Sequence, residues 1–232
     1  MLALASAVWP CVAVAAAEAD LSLALVSDYV VHGLTRSLGD SAVQAAAGAS
    51  WDTGWSVGAS ASTANLNPGP GADREYTVSI GYRHAFRPDL TTDVQLTRYI
   101  YPGDLPILRY DYTELRAATS WRDAVELALS VVPDASLYSS AGLARHRLLW
   151  RAELTGSQPL GRRFLLTAGL GYTDLRELAY TGYWYGSCGL QWRSRHLTAS
   201  VTFIDTDQTA RRLFGGLMAG RRWVGAIVWN WR

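Results

Sequence analysis

Apolar and polar residues alternate along most of this chain. In the run from Trp55 to Thr63, Trp55, Val57, Ala59, Ala61 and Thr63 share one parity, while Ser56, Gly58, Ser60 and Ser62 share the other. A pleated strand sends successive side chains to opposite faces, so this run reads as a strand with one apolar and one small polar face. Similar segments lie at 21–33, 42–52, 55–64, 75–85, 90–101, 110–121, 124–132, 146–155, 163–173, 180–192, 196–205 and 221–231. No sustained i, i+3, i+4 apolar stripe accompanies them, so helices are not expected.

The connections alternate in length. Short ones fall at 52–54, 87–89, 122–123 and 193–195, with 156–162 somewhat longer. Longer ones fall at 34–41, 65–74, 102–109, 133–145 and 206–220, and 174–179 is the short exception among these. Short turns at one rim and longer loops at the other are the pattern of a membrane-spanning barrel. The fold class this predicts is all-β: a single transmembrane antiparallel β-barrel of about 12 strands over residues 20–232. Its turns would be periplasmic and its loops extracellular, and an even strand number puts both termini on the periplasmic rim.

A soluble sandwich or lipocalin-like barrel also alternates. The aromatic positions separate the two readings. Trp51, Trp55, Tyr82, Trp121, Phe164, Trp192, Trp229 and Trp231 all fall in the apolar register at the short-turn rim. A second, looser set (Tyr29, Trp150, Tyr172, Trp184, Phe203, Trp223) falls toward the other rim. Two aromatic belts around an aliphatic band are what a barrel in lipid requires; a barrel with an inward core gives tryptophan no reason to gather at one end. Trp51, Trp55, Trp121, Trp192, Trp229 and Trp231 are the expected membrane-interface residues. Ten Trp and twelve Tyr against four Phe fit the same picture, because rings with a polar handle favour the boundary between lipid and water.

Charge changes little in this reading. The 232 residues carry a formal net charge of +1, which gives no pull toward nucleic acid. All 21 basic residues are arginine, a side chain suited to ion pairs in a lumen wall. Cys11 and Cys188 provide neither a disulfide framework nor a metal spacing, and no cofactor or metal is expected. Residues 2–17 are an apolar run broken by Ser6 and Pro10, with small residues at Ala15, Ala17 and Ala19. That predicts a cleavable signal peptide over 1–19, although the usual basic n-region is missing, as from a truncated start. At the other end Trp223, Gly225, Ile227, Trp229 and Trp231 alternate with Val224, Ala226, Val228 and Asn230. Such an amphipathic last strand is the signal expected to engage barrel-assembly machinery, here with Arg232 after the final aromatic.

The run Leu25-Val26-Ser27-Asp28-Tyr29-Val30-Val31-His32-Gly33-Leu34-Thr35-Arg36-Ser37 resembles the opening of the TorF-type proteobacterial porin-like family. Ser27, Asp28, Tyr29, Val30 and Gly33 match its pattern, His32 stands where arginine is usual, and Thr35-Arg36 replaces Ser-Gln. The resemblance continues through Gly39-Asp40, Gln44, 51–58, 112–114 and 205–207. It implies an outer-membrane location and a pore, without a defined substrate.

The polar register, taken as inward, comprises Asp28, His32, Gln44, Glu75, Arg83, Asp93, Gln95, Glu114, Arg116, Glu126, Arg151 and Glu153. Charges persist there only where the lumen is wet or the charges pair. Arg151 and Glu153 on one strand, and Glu114 and Arg116 on another, are placed to form a cross-lumen ladder with Glu126 and Arg83. Such a ladder either braces the wall or rings a narrow channel and sets selectivity. Small inward residues (Ser56, Gly58, Ser60, Ser62; Thr167, Gly169, Gly171) favour a partly open interior, and no segment is long enough for a plug domain. The function expected is passive passage of ions or small solutes. Alternatives are a structural or adhesive barrel without conductance and an outer-membrane lipid-modifying enzyme. The last would need His32 or His146 beside a nucleophile such as Ser27 or Ser41, with Asp28 as orienting acid; His84 and His196 fall at the wrong rim. No nucleophile motif supports it, so the chain is not expected to be an enzyme. Expected partners are outer-membrane lipid, lipopolysaccharide and small solutes or ions.

Overall fold

A computed structural model describes residues 17–66, 73–102, 110–139 and 142–231. The chain forms β1 (Ala17–Val26), a small hairpin of β2 (Val30–Val31) and β3 (Leu34–Thr35), then β4 (Ala42–Trp51), β5 (Trp55–Thr63), β6 (Arg74–Arg87), β7 (Leu90–Ile100) and β8 (Tyr112–Trp121). There follow β9 (Val125–Ser139), β10 (Gly142–Leu160), β11 (Phe164–Leu175), α1 (Arg176–Ala179), β12 (Thr181–Arg193), β13 (Leu197–Thr206), α2 (Gln208–Met218) and β14 (Arg222–Trp231). Leaving out β2 and β3, the strands close into one antiparallel barrel of twelve, in which β1 pairs with both β14 and β4. Leu23 stands opposite Trp229 on one side and Ala45 on the other.

The alternation predicted from sequence is what orients this sheet. Leu21, Leu23, Leu25, Val57, Val78, Ile80, Leu96, Leu127, Leu129, Leu170, Val201 and Ile227 are exposed on the outside. Residues of the other parity turn inward, among them Ser62, Glu75, Glu114, Ser130 and Arg151, all buried. An exterior of leucine, valine and isoleucine would be a liability in water and is suited to hydrocarbon. At the turn end Trp55, Tyr82, Phe164, Trp229 and Trp231 are exposed around the wall, with Trp55 against Tyr82 at 5.1 Å and Trp229 stacked on Trp231. The Arg122 guanidinium lies 4.7 Å over the Trp121 ring.

Four expectations are corrected. The first strand stops at Val26 instead of running on to residue 33, because the chain turns into the barrel after it. Tyr29 therefore belongs to the interior and not to the outer belt, its hydroxyl donating to Glu75. Two helices are present: α2 begins at Asp207, whose carboxylate caps the Ala210 N–H at 2.8 Å. Lastly, the loop end of the lumen is filled. Val132, Ala135, Leu149, Leu175, Leu178, Tyr183, Ala210 and Ala219 form an inner apolar cluster, with Leu34, Leu213 and Phe214 packed on it. Residues 1–16, the bulk of the expected signal segment, lie outside the described residues; Ala17 and Ala19 stand in β1.

Candidate functional site

Segment 27–41 leaves the wall after β1, folds into the barrel and rejoins the wall at β4. Local sequence explains its shape. Val30 pairs with Thr35 and Val31 with Leu34, leaving His32 and Gly33 as a two-residue turn with φ of 50° and 79°. Positive φ at both central positions is the tight hairpin turn whose twist matches paired strands, and histidine and glycine both tolerate it. The turn must also be thin. A Cβ on Gly33 would stand 2.6 Å from Tyr185 Cβ and 2.7 Å from Thr206 Cγ2.

Three polar anchors fasten the segment. Asp28 is buried and accepts from Thr35 Oγ1 at 2.5 Å, Ser37 Oγ at 2.9 Å and Arg222 Nη1 at 2.7 Å. Its carboxylate thus shapes the segment and ties it to the start of the last strand. At the hairpin tip, His32 Nδ1 lies 3.3 Å from Glu153 Oε1 and 3.2 Å from the Tyr185 hydroxyl, which itself donates to Glu153 at 2.7 Å. The Tyr183 hydroxyl donates to the His32 carbonyl. Further along, Arg36 donates to the hydroxyls of Tyr101 (3.0 Å) and Tyr112 (3.3 Å), while Tyr29 and Tyr101 both donate to Glu75.

The electrostatics follow from this burial. Desolvation, with the Arg151 charge adding to it, holds the His32 pKa below its ordinary value, outweighing the pull of Glu153 and Glu114. Burial opposes the charge on Arg36, but Tyr101, Tyr112 and Glu75 outweigh it and hold the guanidinium protonated. Tyr29 and Tyr101, buried beside Glu75, are raised and stay phenols.

The other sequence-predicted lumen residues sit on the wall. Glu75, Glu114 and Arg151 are buried, and Arg151 pairs with Glu114. Arg116 bonds Glu126 at 2.5 Å. Arg83 stands at the turn rim, its side chain largely exposed, 3.9 Å from Asp93. Gln44 and Gln95 are half-buried in the inward register. The pairs therefore run along the wall: Arg116–Glu126 and Arg83–Asp93 join neighbouring strands, Arg83 meeting Asp93 in place of Glu126, and Arg151–Glu114 reaches from β10 to β8 across β9. Asp28 and His32 are inside the barrel by way of the segment, not as one face of a strand. The proposed Ser–His arrangement is also not what forms: Ser27 Oγ bonds the Gly225 N–H, and His32 faces Glu153 and Tyr185. The side chain of His146 lies outside the described residues.

Sequence reasoning missed Arg36, Tyr101, Tyr112, Tyr185 and Arg222. Parity alone marks four of them, Tyr101 sharing the inward register of Asp93 and Gln95 and Tyr112 that of Glu114 and Arg116. Tyr185 shares the inward register of Tyr183 and Ser187, and Arg222 that of Val224 and Ala226. Toward the turn end the lumen wall changes character. A recess of about 390 Å³ there includes Ser120, Glu126, Thr155, Ser157, Thr167 and Ser187 in its lining.

A family model described as a bacterial protein of unknown function, Gcw_chp, matches residues 13–227. The chain belongs to that family. Among solved structures, the Gcw_chp chain is similar to the NanC porin (11% identity, 93% of this chain and 100% of the other, TM-score 0.60). It is also similar to the KdgM porin (7% identity, 92% and 99%, TM-score 0.58). An outer membrane channel from Pseudomonas putida F1 matches at 11% identity, 91% and 94% coverage and a TM-score of 0.51. At these identities the likeness is one of fold. A comparison with curated proteins finds no match.

Proposed function

We propose that this Gcw_chp barrel sits in the outer membrane, turns toward the periplasm and loops outward, and passes ions or small solutes through a narrow polar lumen. Segment 27–41 is its constriction. The observation that carries this reading is the way the segment is held: by an ion pair, an imidazole–carboxylate contact and hydroxyl contacts to the wall (Asp28 to Arg222, His32 to Glu153, Arg36 to Tyr101 and Tyr112). Polar anchors of this kind have two arrangements, made or hydrated, whereas a purely apolar plug has one. The fold shared with porins and the resemblance of the opening run to TorF-type proteins support the same placement. One solved structure of the same fold is the KdgM porin in complex with disordered oligogalacturonate.

Purified protein in planar bilayers tests the reading, with discrete conductance steps expected. A second reading, a barrel without conductance, draws on the apolar cluster at the loop end. Folded insertions that stay silent in the native protein, and also after the segment is unlatched, establish that reading and overturn the channel.

A further inference from the structure

On the outer face of the barrel, Phe203 of β13 stands opposite Trp223 of β14, ring centroids 5.2 Å apart. One outward step nearer the loop end lie Asp205, on β13, and Arg221, just before β14. Asp205 accepts from Arg221 Nε at 3.0 Å and from Arg211 Nη2, on the first turns of α2, at 2.5 Å. One carboxylate thus faces two guanidiniums, while the neighbouring Asp207 carboxylate is taken up by the Ala210 and Trp184 N–H groups. The Arg221 side chain is 73% exposed. On β12 the residue paired with Asp205 is Gly186, which leaves bare backbone beside the cluster. Leu217, at the far end of α2, is 78% exposed, and its carbonyl is held by Arg222, the neighbour of Arg221.

Depth decides what this corner meets. Two residues of strand rise about 7 Å, or about 5 Å along the membrane normal at a barrel's usual tilt. If Phe203 and Trp223 mark the edge of the hydrocarbon, the two arginines stand in the headgroup layer, which is about that thick. Guanidinium groups recognise phosphate oxygens by paired N–H donors. A second charged cluster on the outer face shows the contrast: Arg98 on β7 lies 3.5 Å from Asp111 and 3.9 Å from Asp134, so that cluster carries surplus negative charge.

We infer that the Arg211–Arg221 corner is a seat for the phosphate headgroup of a phosphorylated glycolipid in the outer leaflet, with Leu217, Phe203 and Trp223 against its acyl chains. The inference rests on the outer-membrane placement proposed above and not on conductance.

The test is lipid binding to the full chain in detergent micelles, read by native mass spectrometry and by the shift in thermal unfolding. The probes are diphosphorylated lipid A, its dephosphorylated form, phosphatidylglycerol and inorganic phosphate. The wild type is expected to retain the diphosphorylated glycolipid and to melt higher with it. Arg221→Gln weakens that binding at least tenfold, Arg221→Lys recovers part of it, and Arg98→Gln leaves it unchanged. Dephosphorylated glycolipid binding the wild type as tightly as the diphosphorylated form would overturn the seat. So would equal binding of phosphatidylglycerol, displacement by equimolar inorganic phosphate, or an Arg221→Gln affinity within twofold of wild type. The wild-type arms stand even if a variant fails to fold. A channel found silent in bilayers leaves every arm readable, so the two readings fail separately.

Discussion

Removing the Asp28 carboxylate is the sharpest perturbation the lumen offers. In Asp28→Ala, the Arg222 guanidinium keeps only its bond to the Leu217 carbonyl, and the Thr35 and Ser37 hydroxyls lose a shared acceptor. Both ion-pair side chains are nearly buried, at 13% and 8% exposure, so the cost is that of breaking a buried pair from one side, about 3–5 kcal/mol. That cost falls on the docked position of segment 27–41, because the barrel ladder does not use Asp28. At about 1.4 kcal/mol per decade, the lower figure shifts the ratio of docked to released segment by roughly a hundredfold. Single-channel recording in planar bilayers reads this directly, with longer or larger openings expected in the variant. The double variant Asp28→Ala/Arg222→Leu, which removes the stranded charge as well, is expected to recover most of the native closure. Conductance in Asp28→Ala that matches wild type, in protein whose gel mobility shows a folded barrel, would refute the latch.

His32 adds a pH dependence. Its docked pKa lies below the ordinary value while the released side chain titrates near 6.5. Between the two, the released state binds more protons, so docking is intact above about pH 6.5 and weakens as pH falls toward the lowered value. Arg151, Glu114, Glu153 and Tyr185 all face the ring and set the size of the effect. Openings should become more frequent as pH is lowered from 7.5 to 5, and His32→Gln should flatten that profile. Gly33→Ala combines a positive φ with contacts under 3 Å to Tyr185 and Thr206 and is expected to destabilise docking by about 1–3 kcal/mol, seen as more frequent openings at constant barrel stability. Leu129→Arg on the outward face should cost about 2–4 kcal/mol in bilayer refolding titrations, whereas Thr167→Arg on the lumen face should cost far less; equal costs would mean that the faces are assigned the wrong way round.

The barrel was legible because its two environments, lipid and lumen, impose a period of two on every strand, and a shift of one residue would turn each charged lumen residue into hydrocarbon. That is why all twelve segments at 21–33 through 221–231 correspond to strands. The same rule hid the constriction. Asp28, Val30 and His32 continue the parity of Ala24 and Val26, so periodicity alone extends the first strand to residue 33. The contrary signal was local: Val-Val-His-Gly-Leu-Thr is a hairpin sequence with a two-residue turn, and a strand at the wall needs no such turn. α2 was obscured for another reason. Gly215, at φ 80°, interrupts the helix after about two turns, too few for a sustained apolar stripe, leaving only the Asp207 cap as a clue. Arg36 was invisible in principle, since its partners Tyr101 and Tyr112 are remote in sequence and meet it only once the segment is inside.

These elements divide the lumen along its axis. At the loop end, tyrosines, the apolar cluster and the inserted segment leave little room for water, and among the described residues the buried charges Asp28, Glu75, Glu114 and Arg151 are all bonded. At the turn end, serine, threonine and glycine line the wall and the Arg116–Glu126 pair stands beside a water-accessible recess. The Arg151–Glu114, Arg116–Glu126 and Arg83–Asp93 pairs link wall strand to wall strand whether or not the segment is docked, so they do not act as the main gate. Selectivity in a released state would pass to groups freed by the movement: Glu153, Glu75 and Arg222, each now held by segment 27–41. Two acids against one arginine make that opening favour cations. Reversal-potential measurements on Asp28→Ala under a salt gradient should accordingly show cation preference, and anion preference would mean that the segment stays docked and the current runs elsewhere.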